Sequence, residues 1–443
     1  MVGNNVLNVD LSKRSQSQSD NKSHRHFVVA WVILVAVLFP AREMSINVGV
    51  NLTPGRVAVI LLFFPALLKA LRSNHRIMVA DCFTLATVSW IVIATVTTKG
   101  IESLLTAAGG ECLEFLGGYL IGRAYLWYPN TLKSFLTALK FVTIVLVLFA
   151  LADRISGQQI IENTIASIVH VVPAGGNYRN GVIRATATLD HPILLGAFFA
   201  FASALFIYSR DSAMGRAVFL LLTFFGCFLA QSSASLMAWV ITVCAYFYDV
   251  WLGSVRTRWG IFWAVTGISV AIIFVVANAP IGWIITHLTL DPESGYFRYL
   301  IWTAAFDKIA ESPLMGYAFN SLDDVILDTT VDSVWLVYAL RFGIPTIVFL
   351  FLATVSGIWP IRKSRDDLPG TVLMSRMSMG FTVMLLMIMF IGVTVHFWNY
   401  MWIFWGLCLG AKVSLKEQLA LTKPAATYAY ASARGRLASE AQY

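Results

Sequence analysis

The chain alternates long apolar runs with short polar breaks and shows no internal repeat. Runs close to the roughly 20 residues a helix needs to cross a bilayer fall at 27–41, 55–70, 78–97, 103–121, 134–152 and 192–209. Six more fall at 216–231, 235–252, 259–279, 333–358, 371–393 and 396–411. The first run is short, and the last two are separated by little. The pattern predicts an all-α, polytopic transmembrane helical bundle of about twelve spans over 27–411. The polar, basic residues 1–26 and the Ala/Ser/Tyr-rich stretch 412–443 read as disordered ends, and no signal-peptide cleavage site follows the first run.

The polar breaks carry a sidedness. Lys13, Arg14, Lys22 and Arg25 precede the first span, and alternate loops hold Lys69, Arg72, Arg76; Arg123, Lys133; Arg210, Arg216; Arg256, Arg258; and Arg362, Lys363, Arg365. By the positive-inside rule this side is cytoplasmic, and both termini lie on it. Two loops on the opposite side are long, 153–191 and 280–332, and they hold most of the arginines found there.

The second of these loops predicts an amphipathic helix, DPESGYFRYLIWTAAFDKIAESPLMG. Asp291 is a candidate N-cap, Pro292 suits the first helical position, and Pro313 ends the helix after Ser312. At about 100° per residue, Thr303, Asp307, Lys308 and Glu311 share one side, and Trp302, Ala305, Phe306 and Ile309 the other. Arg298 falls in the middle of the apolar side. A charge against apolar surface is costly unless compensated, so Arg298 implies a partner, either a protein carboxylate such as Glu293 or an anionic ligand.

The first long loop ends in NYRNGVIRATATLDHPILLG. Pro192 suits the first turn of the next span, which puts Asp190 and His191 at an outward-facing helix N-terminus, where free N–H groups favour an anion. Arg179 and Arg184 lie just upstream; they read either as interfacial arginines snorkelling to headgroups or as part of an anion site. Guanidinium forks match phosphate oxygens bidentately, so Arg184 and Arg298 on one face suit a diphosphate at the membrane boundary. His191 reads as a general base or, by preference, a helix cap.

Composition sharpens this reading without redirecting it. The chain has 443 residues, 58% hydrophobic and 13% charged, against about 25% charged in a soluble domain. The net charge of +8 is spread between spans and needs no nucleic acid. The five cysteines sit in apolar runs without motif spacing and read as small buried hydrophobes. Asp323, Asp324, Asp328 and Asp332 lack a histidine among them and read as solvated acids, not a metal site. Glu111 and Glu114, on neighbouring faces of the fourth span, are candidates for function or for pairing with Arg123 or Lys99.

Three blocks carry a resemblance: Arg184–Gly196 with His191-Pro192, Arg298–Gly316 with Trp302 and Pro313-Leu314-Met315-Gly316, and VDSVWLVYALRFGIP at Val331–Pro345. In order and sidedness they resemble the O-antigen ligase/polymerase superfamily of bacterial envelope glycosyltransferases. Ligases of that group place a histidine where Asp332 stands here, which points toward a polysaccharide polymerase; a second glycine usual after Pro-Leu-x-Gly is Ala318 here. The resemblance implies an inner-membrane enzyme that polymerises undecaprenyl-diphosphate-linked repeat units into a surface or secreted polysaccharide on the periplasmic face. It implies Arg184, Arg298, Asp332 and His191 as the catalytic set. Arg179, Trp302, Gly316 and Glu293 would contact substrate.

Preorganised arginines would stabilise charge developing on the departing diphosphate. The base candidates are Asp332, then His191, then Glu293. The implied partners are the lipid-linked glycan donor and acceptor and membrane lipids, with no nucleic acid, metal or other cofactor. The alternatives are a ligase acting on a lipid or protein acceptor, or a transporter. Sugar, linkage and any bound chain-length regulator are not written in the sequence.

Overall fold

A computed structural model describes residues 28–72, 75–173, 175–209, 211–255, 257–276, 292–359 and 369–440, with the backbone alone described at 270, 292–294, 369–371 and 421–440. The described residues are almost entirely helical. In chain order the helices are α1 (Val28–Leu38), α2 (Pro54–Arg72), α3 (Val79–Lys99), α4 (Ile101–Tyr125), α5 (Pro129–Ser156), α6 (Ile160–Val169), α7 (Pro192–Tyr208) and α8 (Ala213–Ala230). They continue with α9 (Ser233–Trp251), α10 (Arg258–Val276), α11 (Pro292–Glu311), α12 (Val334–Phe342), α13 (Ile344–Ile358), α14 (Pro369–Ile391) and α15 (Tyr400–Glu440). Two short antiparallel pairs, Ile46–Asn47 with Asn51–Leu52 and Tyr178–Arg179 with Val182–Ile183, tighten the loops.

Eight helices are long and apolar enough to cross a membrane: α2, α3, α4, α5, α8, α9, α10 and α14. They coincide with eight of the twelve apolar runs. The other four runs form helices of different length. The first is the short α1, the sixth is α7 with 17 residues, the tenth is broken between α12 and α13, and the last continues far beyond its apolar part as α15.

The bundle has two centres. Every residue of α7 except Ile193 is buried, because α8, α9 and α14 surround it. The second centre is the crossing of α4 and α15. Gly118 and Gly122 on α4 face Gly406 and Gly410 on α15, and a Cβ at any of the four would run into a main-chain carbonyl of the opposite helix. Small residues four apart let two membrane helices approach backbone to backbone.

The stretch after Lys412 is described as part of α15. The helix α15 continues to Glu440, and Lys412, Ser414 and Glu417 are buried. Polar side chains stay in a protein interior when partners are at hand, and each of these has one. Lys412 Nζ donates to Ser378 Oγ at 2.7 Å, Ser414 Oγ donates to the Arg123 carbonyl at 2.7 Å, and Glu417 pairs with Arg123 at 2.6 Å. The segments 1–26 and 441–443 lie outside the described residues. Of the cysteines, Cys112, Cys227 and Cys408 are buried, while Cys82 and Cys244 are exposed on the outside of the bundle, where apolar side chains are also displayed.

Candidate functional site

Helix α11 forms where the sequence predicts it, opening on Pro292. Its buried stripe is Ile301, Ala305 and Ile309, packed on Leu336, Ala339 and Leu340 of α12. Phe306, expected on that stripe, is exposed, and Trp302 lies half-buried at its edge. The stripe is therefore turned by about one residue, because Ile301 wins the central place from the larger aromatic rings. Arg298 continues the line of Ile301 and Ala305 and is half-buried. Thr303, Asp307 and Glu311 are exposed as their spacing requires. Asp291 lies outside the described residues, and so does the side chain of Glu293.

The turn that follows α11 is zipped to the end of α12. Tyr317 N donates to the Leu340 carbonyl at 2.7 Å, Ala318 N to the Arg341 carbonyl at 2.7 Å, and Ile344 N to the Pro313 carbonyl at 2.8 Å. Gly316 and Gly343, at φ +64° and +81°, meet there with no room for a Cβ at either. Ala318 takes the left-handed conformation at φ +50°, where glycine is the easier residue. Trp90 of α3 donates to both the Leu314 and the Phe342 carbonyl at 3.1 Å, so it pins the joint from outside. Gly316 thus shapes the loop, and the Trp302 ring packs on Phe306 at 5.5 Å.

The first long loop is held from below by Asp153, at the end of α5. Its carboxylate accepts from Ile160 N at 2.9 Å, Thr186 N at 3.2 Å and Ala187 N at 2.9 Å. That fixes the backbone two residues beyond Arg184. Arg184 Nε donates to the Ala230 carbonyl at 3.2 Å, and Arg179 Nη1 to the Gln231 carbonyl at 3.0 Å. Both arginines thus sit at the C-terminal, partially negative end of α8 and use a fraction of their five N–H groups there.

The two long loops bring their arginines together. Burial and the charges of Arg179 and Arg298 pull the Arg184 guanidinium down to about 10. His191 borders the same cluster: burial and the Arg184 charge push its imidazole down to about 4, against an opposing pull from Asp332. Arg179, Arg184, His191, Arg298 and Asp332 therefore share one locality, although they come from loops far apart in sequence. Such a grouping of guanidiniums is unfavourable by itself and suits an anion.

The imidazole of His191 is the N-cap of α7, and its Nδ1 accepts from Ile193 N at 3.2 Å. That occupies the lone pair and leaves the N–H on Nε2, so His191 is set as a donor, not a base. Asp332 Oδ1 accepts from Thr330 Oγ1 at 3.0 Å, and the next residue, Ser333, caps α12. Asp324 and Asp328 accept from neighbouring backbone amides and close local turns. Among the described residues no three His, Cys, Asp or Glu side chains group as metal ligands.

Glu111 and Glu114 pair, but with residues the sequence did not single out. Glu111 meets Arg341 at 2.8 Å and the Tyr338 hydroxyl at 2.6 Å, and Glu114 meets Arg56 at 2.8 Å. The expected partners are engaged elsewhere, Arg123 with Asp81 and Glu417, and Lys99 with the Phe319 carbonyl. Close to the first loop lies a set of acids, Glu43, Asp153 and Glu162 buried and Asp190 half-buried, of which sequence reasoning singled out Asp190 alone. Burial, reinforced by Glu43, Asp190 and Asp153, pushes the Glu162 carboxyl up to about 8. Asp190 Oδ2 accepts from Asn399 Nδ2 at 2.6 Å, tying this loop to the turn before α15.

The architecture and this site define a polytopic helical membrane protein in which arginines from two long loops group at one site. A comparison with protein-family models finds no match for the chain, and no curated protein matches it.

Proposed function

We propose that the protein is a polysaccharide polymerase of the O-antigen ligase/polymerase type, working at the periplasmic face of a bacterial inner membrane. Its donor is a growing glycan on undecaprenyl diphosphate, and its acceptor is a hydroxyl of another lipid-linked repeat unit. The observation that carries this reading is the convergence of Arg179, Arg184 and Arg298 from the two long loops. Guanidinium forks grouped in this way suit a diphosphate, and suit it most as the leaving group gains charge. His191, with a proton on Nε2, adds a neutral donor to the same oxygens. The reading counts twelve membrane crossings, the four shorter or broken helices included, with both termini cytoplasmic.

A ligase that passes the glycan to a lipid or protein would use the same donor cradle, and Asp332 in place of histidine favours the polymerase. A transporter would place its polar residues near mid-membrane, whereas the arginines here belong to loops. Purified protein in lipid nanodiscs supplied with polyprenyl-diphosphate-linked repeat units tests the proposal. A ladder of longer lipid-linked glycans is expected, and unaltered single units would refute it.

A further inference from the structure

The turn between α14 and α15, residues 392–399, is outside every motif the sequence singled out, yet it is docked on the site. Val334 N donates to the Gly392 carbonyl at 3.0 Å and the Val395 carbonyl at 3.1 Å, and Ser333 Oγ donates to the Gly392 carbonyl at 3.1 Å. The turn is thus fastened to the chain one residue after Asp332. It presents two rings, His396 and Trp398, whose centroids are 5.6 Å apart. Trp398 also lies 6.0 Å from His191, so one indole neighbours both imidazoles. Asn399, held to Asp190, fixes the far end of the turn.

The two histidines differ in what their nitrogens do. The Nδ1 lone pair of His191 is used by the helix cap, while Nδ1 of His396 is buried without a hydrogen-bond partner. No hydrogen bond to His396 occurs among the described residues. Burial and the charge of Arg341 hold its imidazolium down, to about 3, and Arg341 is itself paired with Glu111. The ring is therefore neutral at working pH, with a lone pair available. A diphosphate arriving nearby adds the negative charge that favours its protonation.

We propose that His396 is the general base of the transfer, receiving the proton of the acceptor hydroxyl; this rests on the polymerase reading. The hydroxyl oxygen bonds to the anomeric carbon of the donor sugar as the bond from that carbon to the diphosphate oxygen breaks. The electron pair stays on the diphosphate, and the hydroxyl proton passes to the His396 ring and then to water. His396 thereby fills the role that neither His191, committed to its cap, nor Asp332 is set to fill alone.

The test uses the full chain in nanodiscs with polyprenyl-diphosphate-linked repeat units. His396→Gln is expected to bind the lipid-linked donor within about threefold of the unaltered protein while elongation slows by about 100-fold or more, the usual worth of a general base. Added imidazole should restore part of the rate to His396→Ala. Elongation at the original rate in His396→Gln overturns the inference, as does a loss of donor affinity in step with the rate. If that variant does not fold, the same outcomes are read from His396→Asn. A wild-type protein that makes no ladder sinks the polymerase reading and this inference with it; an active wild type with an active His396→Gln sinks this inference alone.

Discussion

Arg184 lies close enough to Arg298 for the second guanidinium to loosen the first one's proton, although one belongs to a loop braced on α8 and the other to α11. Two like charges held together by separate elements can be relieved by a ligand that bridges them. Arg298→Ala is therefore expected to abolish polymer while expression and membrane insertion stay normal, a rate loss of about 10²–10³ per lost oxyanion partner. Arg298→Lys should restore little, because an ammonium cannot reproduce the fork. Glycan ladders from membranes of each variant decide it, and a normal ladder in Arg298→Ala would remove the diphosphate cradle.

Asp153 acts on the same cradle through the backbone. Replacing it by Ala leaves the amides of Ile160, Thr186 and Ala187 without their acceptor, and a buried unsatisfied donor costs about 1–3 kcal/mol. The expected result is a lower melting temperature together with weaker donor binding, since Arg184 loses its support. Thermal unfolding and donor titration of Asp153→Ala measure both.

Glu162 makes stability depend on pH. Its carboxyl is neutral in the folded chain up to about 8, against an ordinary value of 4.5. The unfolded chain then ionises first, so stability is complete below about pH 4.5 and falls as pH rises toward 8, at up to about 1.4 kcal/mol per unit. Glu162→Gln should melt higher than the unaltered protein at pH 8 and show a flatter pH dependence. Melting curves between pH 5 and 8 check this, and an unchanged slope counts against it.

The crossing of α4 and α15 admits no side chain. Gly122→Val or Gly406→Val forces the two backbones apart, and overpacking of this kind costs about 1–3 kcal/mol. Both variants should lose folded protein on extraction, whereas substitution at Gly260, which has open space around it, should not. Fluorescence-detected size exclusion separates these outcomes.

Hydrophobic runs located the helices because a bilayer demands about 20 apolar residues whatever packs beside them. Arg298 was legible for a related reason, as a charge on an apolar helix face. The turn of the α11 stripe toward Ile301 was not, since it depends on which side chains α12 offers. His191 as a cap was readable from the Pro192 that follows it. His396 carried no local signal: its place beside the site follows from backbone bonds between Val334 and a turn some sixty residues later. The partners of Glu111 and Glu114 were hidden likewise, because ion pairs between spans are set by helix neighbours and not by sequence spacing. The Gly118/Gly122 and Gly406/Gly410 pairs have the spacing of a helix-crossing motif, a weak signal in a chain with 30 glycines.

That crossing also decides what in the molecule can move. With carbonyls seated against glycines on both helices, α4 and α15 can neither roll nor slide without collision, so they behave as a single beam. One end of the beam is locked by the Arg123–Glu417 pair, and the other carries the turn with His396 and Asn399. On the polymerase proposal, room for a lipid-borne glycan would come from the arginine-bearing loops and not from this crossing.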